Sequence, residues 1–416
     1  MPTLDCNFRC LACFEDPIHS KTVVNIPLNL DAMEQTLAKL WEDTYYHGSG
    51  IGIHGGECLL APPVVLDRLF EVQQKYTGGT SVVTNASLIT PAIMRLFKKY
   101  KTDVSVSVDG PPEYNLLRGP SPLDKDITGE YNKLLNDNIK WLREEEISVS
   151  VMCIINKFNS GDAKKVKRMK QWFNELATLG IRGGRINPMY ADGAAKKYEL
   201  TNDELLYAYI EYTKMTFESS KMRWLPFREM IDNVLNFSSS PCIFGGCDFL
   251  CTHTVTIFPD GSLGNCDRTF SDGVGIRSEY GKREGRTSAL QQTQCAGCNY
   301  WNICKGGCPC EGVDGDWRNK TRFCEAIAGT YDFITDYLTG LLPNVRISND
   351  SEPFRAMGWG LVDRPTTFGN YTAKTQALPQ TQQPNGHSDS HGDHHGDKPH
   401  GDHADEAHND QGGVRQ

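Results

Sequence analysis

The feature that most restricts the fold is a regular alternation, from residue 49 to about 217, of short β-branched runs with amphipathic stretches of helical period. "SGIGIH" (49–54), "TSVVT" (80–84), "TDVSVSVDG" (102–110), "ISVSVMCII" (147–155) and "IRGGRINPM" (181–189) read as strands. "DAMEQTLAKLWEDTYYH", "PPVVLDRLFEVQQKY", "TPAIMRLFKKY", "GEYNKLLNDNIKWLREE", "DAKKVKRMKQWFNELATLG" and "TNDELLYAYIEYTKMTFES" read as helices, with Asp31 and Thr90 as expected N-caps. Strands that alternate with helices in this way lie parallel with the helices outside them, in an open doubly wound sheet or a barrel. Counting "MPTLD" as an abbreviated first strand gives six βα units. A first strand that short points to a truncated start or to a barrel edge covered in some other way.

With 416 residues the chain has room for two or three domains, and 39% hydrophobic with 23% charged is a soluble, globular composition. No apolar run is long enough to span a bilayer, and the first residues lack the basic start and apolar core of a signal peptide. The expected compartment is the cytoplasm. Fifteen cysteines in such a chain argue against disulfides and for metal or cluster ligation. The net charge of −9 gives no electrostatic footing for nucleic acid, so neither nucleic acid nor membrane is an expected partner.

After residue 240 the texture changes to Gly, Asp, short turns and most of the cysteines, with a last helix expected over about 321–342. The expected organisation is a barrel domain at 1–220, a linker at 221–241, a cysteine-rich cluster domain at 242–345 and a tail at 346–416. From about residue 365 the tail repeats a His-Gly-Asp theme that cannot bury a core, so it should be disordered. Its histidines, His387, His391, His394, His395, His400, His403 and His408, would collect divalent metal loosely.

Cys6, Cys10 and Cys13 are spaced C-x3-C-x2-C. A cubane iron–sulfur cluster takes one protein ligand per iron, so three cysteines leave one iron open to a substrate or cofactor. For three cysteines taken alone, a zinc site or a cluster completed by a distant cysteine is an equal reading. The residues that follow the strands favour the open cluster, because parallel αβ folds place their chemistry at carboxyl ends of strands. "HGGE" (54–57) offers two glycines for close backbone approach and Glu57 as an acceptor for an ammonium group. "TNAS" (84–87) brings Asn85, and "SVDG" (107–110) brings Ser107 and Asp109 as hydroxyl and carboxylate partners.

In this order behind C-x3-C-x2-C, the motifs resemble those of the radical SAM superfamily over roughly residues 1–217, which implies a partial (β/α)6 barrel. The resemblance implies a 4Fe–4S cluster on Cys6, Cys10 and Cys13 whose open iron chelates S-adenosyl-L-methionine (SAM). It also implies that Gly55, Gly56 and Glu57 meet the methionine ammonium, with Asn85, Ser107 and Asp109 as further contacts. Reduction of the cluster would cleave SAM to a 5′-deoxyadenosyl radical that takes a hydrogen atom from substrate. Two departures stand out. Ala12 replaces an aromatic residue common before the third cysteine, leaving adenine stacking to Phe14 or another side chain, and Cys58 replaces the proline of "GGEPLL". Cys58 is expected to be inert, and Cys153 and Cys310 to be structural thiols.

"CTHTVTIFPDGSLGNC" reads as C-x9-G-x4-C with Cys251, Gly261 and Cys266, the glycine suiting a tight hairpin. "CAGCNYWNICKGGC" gives C-x2-C-x5-C-x3-C with Cys295, Cys298, Cys304 and Cys308, and Cys324 follows. Together they resemble the SPASM domain of radical SAM peptide-modifying enzymes. That resemblance implies two auxiliary 4Fe–4S clusters, three clusters in all. One would sit on Cys251, Cys266, Cys308 and either Cys242 or Cys247, the other on Cys295, Cys298, Cys304 and Cys324. The implied activity is modification of a peptide or protein, here expected as a thioether, carbon–carbon or carbon–oxygen crosslink in a ribosomally made peptide. The alternative is an anaerobic sulfatase maturase that forms formylglycine from Cys or Ser, in which Asp267 would be the general base. As a residue that caps the turn in "CDRT", Asp267 has an equal structural reading. A flavodoxin- or ferredoxin-type electron donor is an expected partner. So is a separate leader-recognition protein, unless the barrel surface serves. A multi-cluster electron carrier is the competing class, against which the SAM-pocket residues argue.

Overall fold

The computed structural model describes residues 1–11, 13, 26–43, 50–191, 193–219, 222–235, 255–264, 266, 286 and 288–341. Five strands, β1 (Ser81–Thr84), β2 (Asp103–Ser107), β3 (Val149–Ile155), β4 (Gly183–Pro188) and β5 (Arg223–Leu225), form one sheet in chain order. Every neighbouring pair is parallel. Parallel strands laid down in sequence need right-handed helical crossovers, which all fall on one face and curl the sheet as part of a barrel. Among the described residues the helices of eight residues or more are α1 (Leu30–Glu42), α2 (Pro63–Thr77), α3 (Pro91–Tyr100), α4 (Lys125–Glu144), α5 (Ala163–Thr178), α6 (Asn202–Glu218), α7 (Phe227–Val234) and α8 (Cys324–Leu341).

Alternation along the strands sorts the two faces. Val82, Val104, Val106, Val151, Cys153, Ile155 and Ile186 are buried in the core formed with the helices, beside Phe70, Phe97, Phe173 and Trp224. Each such side chain contributes about 1.5–3 kcal/mol on burial. The opposite face carries Ser105, Ser107, Ser150, Met152, Arg185 and Asn187, all half-buried. A sheet with one apolar face under helices and one polar, partly open face is a container.

Several expectations need correction. The strand expected at 49–54 is reduced to a single parallel bridge, Ile53 to Val82. "MPTLD" is not a strand; it is irregular backbone held by the glycines of "HGGE", as described below. The first helix is capped by Asn29, whose Oδ1 accepts from Ala32 N at 3.0 Å, because Leu30 is already helical and Asp31 lies in the first turn. Thr90 caps α3 as expected, accepting from Ile93 N at 3.3 Å. The fourth helix starts a turn earlier than its apolar pattern, at Lys125, because the Asp124 side chain accepts from Asp126 N and Ile127 N.

The expected linker at 221–241 contains β5 and α7. Trp224 is fully buried, its ring centroid 4.3 Å from that of Phe173, so the barrel runs past residue 220. Helix α8 is no separate layer either. Phe323, Ile327, Tyr331, Ile334 and Leu338 belong to the same core as the sheet. A hairpin of β6 (Thr256–Ile257) and β7 (Leu263–Gly264) matches the turn expected at Gly261, whose φ of +83° is left-handed. Pro259 O accepts from Asn29 N at 2.7 Å and Gly261 O from Thr36 Oγ1 at 2.8 Å, which fastens the hairpin to the start of α1. Among the described residues no helix is long and apolar enough to cross a membrane. The tail from 342 onward, and with it the His-rich repeat, lies outside the described residues.

Candidate functional site

The loop with Cys6, Cys10 and Cys13 is fastened at the carboxyl end of the parallel sheet. Phe8 is buried edge-on against Tyr131, ring centroids 4.6 Å apart. Asn7 donates from Nδ2 to Ser87 Oγ and accepts from Asn85 Nδ2, both at 2.9 Å. The N–H groups of Arg9 and Leu11 donate to the carbonyls of Gly119 and Leu117, again at 2.9 Å, and Cys13 N closes the loop onto Cys10 O at 3.1 Å. All three thiols are half-buried. Phe8 N donates to Cys6 Sγ and Gly119 N to Cys10 Sγ, each at 3.4 Å. Such N–H···S bonds favour the thiolate, the form that binds metal. Burial pushes the Cys10 thiol up, and Arg118 with the Gly119 N–H pulls it back.

The glycines of "HGGE" make room for the chain itself. A Cβ on Gly55 would lie 2.2 Å from Thr3 O, and one on Gly56 2.2 Å from Asp5 O. Gly56 N donates to Thr3 O at 3.3 Å and Glu57 N to Asp5 O at 2.7 Å, so this element holds the residues that lead into Cys6. The Glu57 side chain, expected as an ammonium acceptor, is 1% exposed and works as an internal brace. Its Oε1 accepts from Thr84 Oγ1 at 2.7 Å and Leu59 N at 3.0 Å, and its Oε2 from Asn85 N at 2.7 Å. Burial raises its carboxyl above the usual glutamate range, and the Asn85 N–H, Thr84 hydroxyl and Leu59 N–H oppose that rise.

Asn85 follows β1 directly and ties Glu57 to the cysteine loop through Asn7; its Oδ1 accepts from Ser87 N at 2.9 Å. Ser107 closes β2 on the open face. Asp109, two residues on, is 1% exposed and accepts on Oδ1 from Arg118 Nη2 and Ile154 N, both at 2.9 Å. Asn115 Oδ1 accepts from Asp109 N at 3.0 Å, and Asn159 Nδ2 donates to Asp109 O at 2.7 Å. Burial by itself would lower Arg118, but Asp109 and Cys10 reverse this and keep it charged. Asp109 Oδ2 and Arg118 Nε are both buried and have no hydrogen-bond partner. Sequence reasoning missed Arg118. Its loop, "EYNLLRGP", has neither periodicity nor motif to mark it.

Cysteines near the C-terminus form a second group. Burial raises the thiols of Cys295 and Cys324 and pushes Cys304 up to about 12. Neighbouring thiols add to this: Cys324 and Cys298 act on Cys295; Cys324, Cys295 and Cys298 act on Cys304; Cys298 acts on Cys324. Backbone hydrogen bonds link their neighbourhoods: Cys298 N donates to Cys295 O and Cys324 N to Thr321 O, both at 3.2 Å, and Thr321 N donates to Gly306 O, two residues after Cys304, at 2.8 Å. Of the other expected ligands, Cys266 is half-buried and Cys308 buried, while Cys242, Cys247, Cys251 and the expected base Asp267 lie outside the described residues. Cys58, Cys153 and Cys310 are buried, and Cys58 Sγ donates to Val83 O at 3.2 Å, as suits structural thiols. Ala12 and Phe14 also lie outside the described residues. Among the described residues no three His, Cys, Asp or Glu side chains converge tightly enough to hold a single metal ion.

Comparison with known proteins agrees with this geometry. Residues 1–169 match the family model of the radical SAM superfamily. The cysteine-type anaerobic sulfatase-maturating enzyme of Clostridium perfringens (strain 13 / Type A) is 21% identical over 330 residues, spanning 73% of this chain and 85% of that protein. The structure of native anSMEcpe with bound AdoMet and Kp18Cys peptide superposes with a TM-score of 0.60 at 18% identity, covering 83% of this chain and 98% of that one. Streptococcus suis SuiB bound to precursor peptide SuiA gives 0.51 at 15% identity, covering 77% and 73%. At these identities the structural matches speak for the fold, an α/β arrangement shared with both. Sheet, cysteine loop and family match converge, and the first 169 residues of this chain are a radical SAM domain.

Proposed function

We propose that the chain is a SAM-dependent radical enzyme that modifies a peptide or protein side chain. The observation that carries this reading is the C-x3-C-x2-C loop, held by Asn7, Phe8 and Leu11 at the strand ends of a half-open parallel sheet. The thiols suit a cubane cluster, which spreads its ligands over separate irons and does not need them to converge on one ion. Cys6, Cys10 and Cys13 would hold that cluster. With SAM bound, the pair supplies a radical that abstracts a hydrogen atom from substrate.

The chain's own residues do the rest. Arg118, charged and next to Cys10, can hold a carboxylate, and Asp109 Oδ2 can accept a hydrogen bond; both atoms left without partners suit a polar ligand such as SAM. Gly55, Gly56, Asn85 and Ser107 complete the proposed SAM contacts, and Glu57 acts through its brace. The half-buried polar face with Ser105, Met152 and Arg185 would face the substrate side chain. Cys295, Cys298, Cys304 and Cys324 would hold one auxiliary cluster, and Cys251, Cys266 and Cys308 with Cys242 or Cys247 a second. A flavodoxin- or ferredoxin-type protein would supply electrons. A cytoplasmic setting and an accessory, metal-collecting tail belong to the same reading.

Two finer reactions fit. The sulfatase-maturating relative supports oxidation of Cys or Ser to formylglycine, with Asp267 as base. Crosslinking is the reaction expected first from the sequence, and the likeness in fold to SuiB, whose structure holds a precursor peptide, is in keeping with a peptide substrate for it. Reconstituted protein given SAM and a reductant should release 5′-deoxyadenosine; an electron carrier would release none. A sulfatase-derived Cys or Ser peptide that then gains a hydrazide-reactive aldehyde decides for formylglycine, and a mass loss without aldehyde in a precursor peptide decides for a crosslink. Asp267→Asn should keep SAM cleavage and lose product.

A further inference from the structure

We propose that Arg286 is the positioning residue that assembles Cys295, Cys298, Cys304 and Cys324 for an auxiliary cluster. This rests on the reading of those four as ligands. Arg286 is 5% exposed. Its Nε donates to Trp317 O at 2.7 Å, Nη1 to Lys305 O at 3.4 Å, and Nη2 to Asn319 O at 3.1 Å, Gly306 O at 3.3 Å and Gly307 O at 3.4 Å. One guanidinium thus gathers five carbonyls from two loops. The first loop follows Cys304 directly, and the second leads through Lys320 to Cys324.

The first loop shows how the cation orients the site. Lys305, Gly306 and Gly307 all have left-handed backbone, with φ of 49°, 86° and 73°. Their carbonyls turn toward Arg286, and the Gly307 N–H donates to Cys304 O at 2.9 Å, which ties the turn back to that cysteine. A side chain would be strained at either glycine by this backbone, and at Gly307 also crowded, since a Cβ there would lie 2.4 Å from Thr321 Cγ2 and 2.8 Å from Thr321 Cβ. The two loops also meet through Thr321 N and Gly306 O at 2.8 Å. The second loop is also fastened beside Cys295, where Gln294 Nε2 donates to Asn319 Oδ1 at 2.7 Å and Gln294 Oε1 accepts from Lys320 N at 2.9 Å. Without the guanidinium, five inward-facing carbonyls would lose a donor and the loops would part, taking Cys304 away from Cys324. Lysine, a point charge with three donors, cannot replace a planar fork with five.

The test is reconstitution of full-length Arg286→Met and Arg286→Lys, with iron content, EPR of the reduced protein and far-UV circular dichroism as readouts. Cys304→Ala serves as the control for the ligand reading. Arg286→Met should fold, lose the iron of one cluster, about four per chain, and lose that cluster's EPR signal. Arg286→Lys should recover part of the iron with an altered signal. Full iron and an unchanged EPR signal in either folded variant overturn the inference. If Cys304→Ala also keeps all its iron, the ligand reading is what fails, whereas loss of iron in Cys304→Ala beside intact Arg286 variants refutes the role of Arg286 alone.

Discussion

Gly56→Ala tests how strictly the cysteine loop depends on the backbone beneath it. The new Cβ would stand 2.2 Å from Asp5 O, 2.5 Å from Asp5 C and 2.5 Å from Leu4 O. Ordinary contact needs roughly 3.5 Å, so the segment leading into Cys6 must retreat by about 1 Å. Backbone atoms block the way, so no side chain can rotate aside to make room. Retreat stretches the Glu57 N to Asp5 O bond, now 2.7 Å, and the Gly56 N to Thr3 O bond, now 3.3 Å. Overpacking of this kind costs about 1–3 kcal/mol. A displacement of about 1 Å at a reacting centre costs on the order of 100-fold in rate. Gly56 does not have a left-handed φ, so the effect is steric and not conformational. The assay pairs thermal unfolding of the apoprotein with 5′-deoxyadenosine release by the reconstituted enzyme. A Gly56→Ala protein with unchanged melting temperature and unchanged release would refute the argument, because the chain would then have room that the structure denies it.

Replacing Cys6, Cys10 and Cys13 together with Ala should remove one cluster's iron and abolish 5′-deoxyadenosine formation while auxiliary iron stays; continued SAM cleavage would contradict the assignment. Glu57 carries a pH prediction: its folded pKa is raised by burial, so its stabilising contribution is complete below the usual glutamate value of about 4.3 and is lost as pH rises through the raised value. The stability difference between wild type and Glu57→Gln, measured by urea unfolding, should therefore shrink from pH 4 toward pH 7, and a difference that grows over that span would show the sign to be wrong. Asn202→Ala removes a side chain that accepts from Ala326 N at 3.3 Å and donates to Arg322 O at 2.9 Å, and should destabilise the protein by about 1–2 kcal/mol in denaturant titration.

Much of the sheet was legible because β2 alternates Val104 and Val106 with Asp103, Ser105 and Ser107, and β3 opens on the same alternation, Val149, Ser150, Val151, before a run rich in apolar residues. β5 was not, because three residues, Arg223–Leu225, are too few to show a period, and Trp224 is a strand residue only by virtue of Phe173 behind it. The "HGGE" glycines were legible as a place of close approach, but their partner was not, since the atoms that crowd them belong to Thr3 and Asp5, some fifty residues earlier. For the same reason the internal partners of Glu57 were not legible: its donors, Thr84 and Asn85, come from the next strand end. Arg118 and Arg286 left no trace in the sequence. What distinguishes each is a set of acceptors brought by the fold: Asp109 in one case, five carbonyls in the other.

The change in composition at residue 240 suggested a boundary that the packing does not respect. Cys324 opens α8, and the body of that helix, through Ile327, Tyr331 and Ile334, packs against α6 and α7 within the same core as the sheet. Asn202, the first residue of α6, holds both the chain entering α8 and its first turn. Arg322 pairs with Glu199 at 3.5 Å, and its guanidinium stands 4.5 Å from the ring centroid of Tyr190, two residues beyond β4. Cys324 is therefore fixed to the same strand ends that face the cysteine loop of the radical SAM domain. Cysteine content marks where ligands are expected, whereas burial marks what folds together, and in this chain the two divide the sequence differently. A cluster held by Cys324 would be a component of the barrel's own packing, and its distance from the open face of the sheet would be set by α6 and α8 and not by a flexible linker.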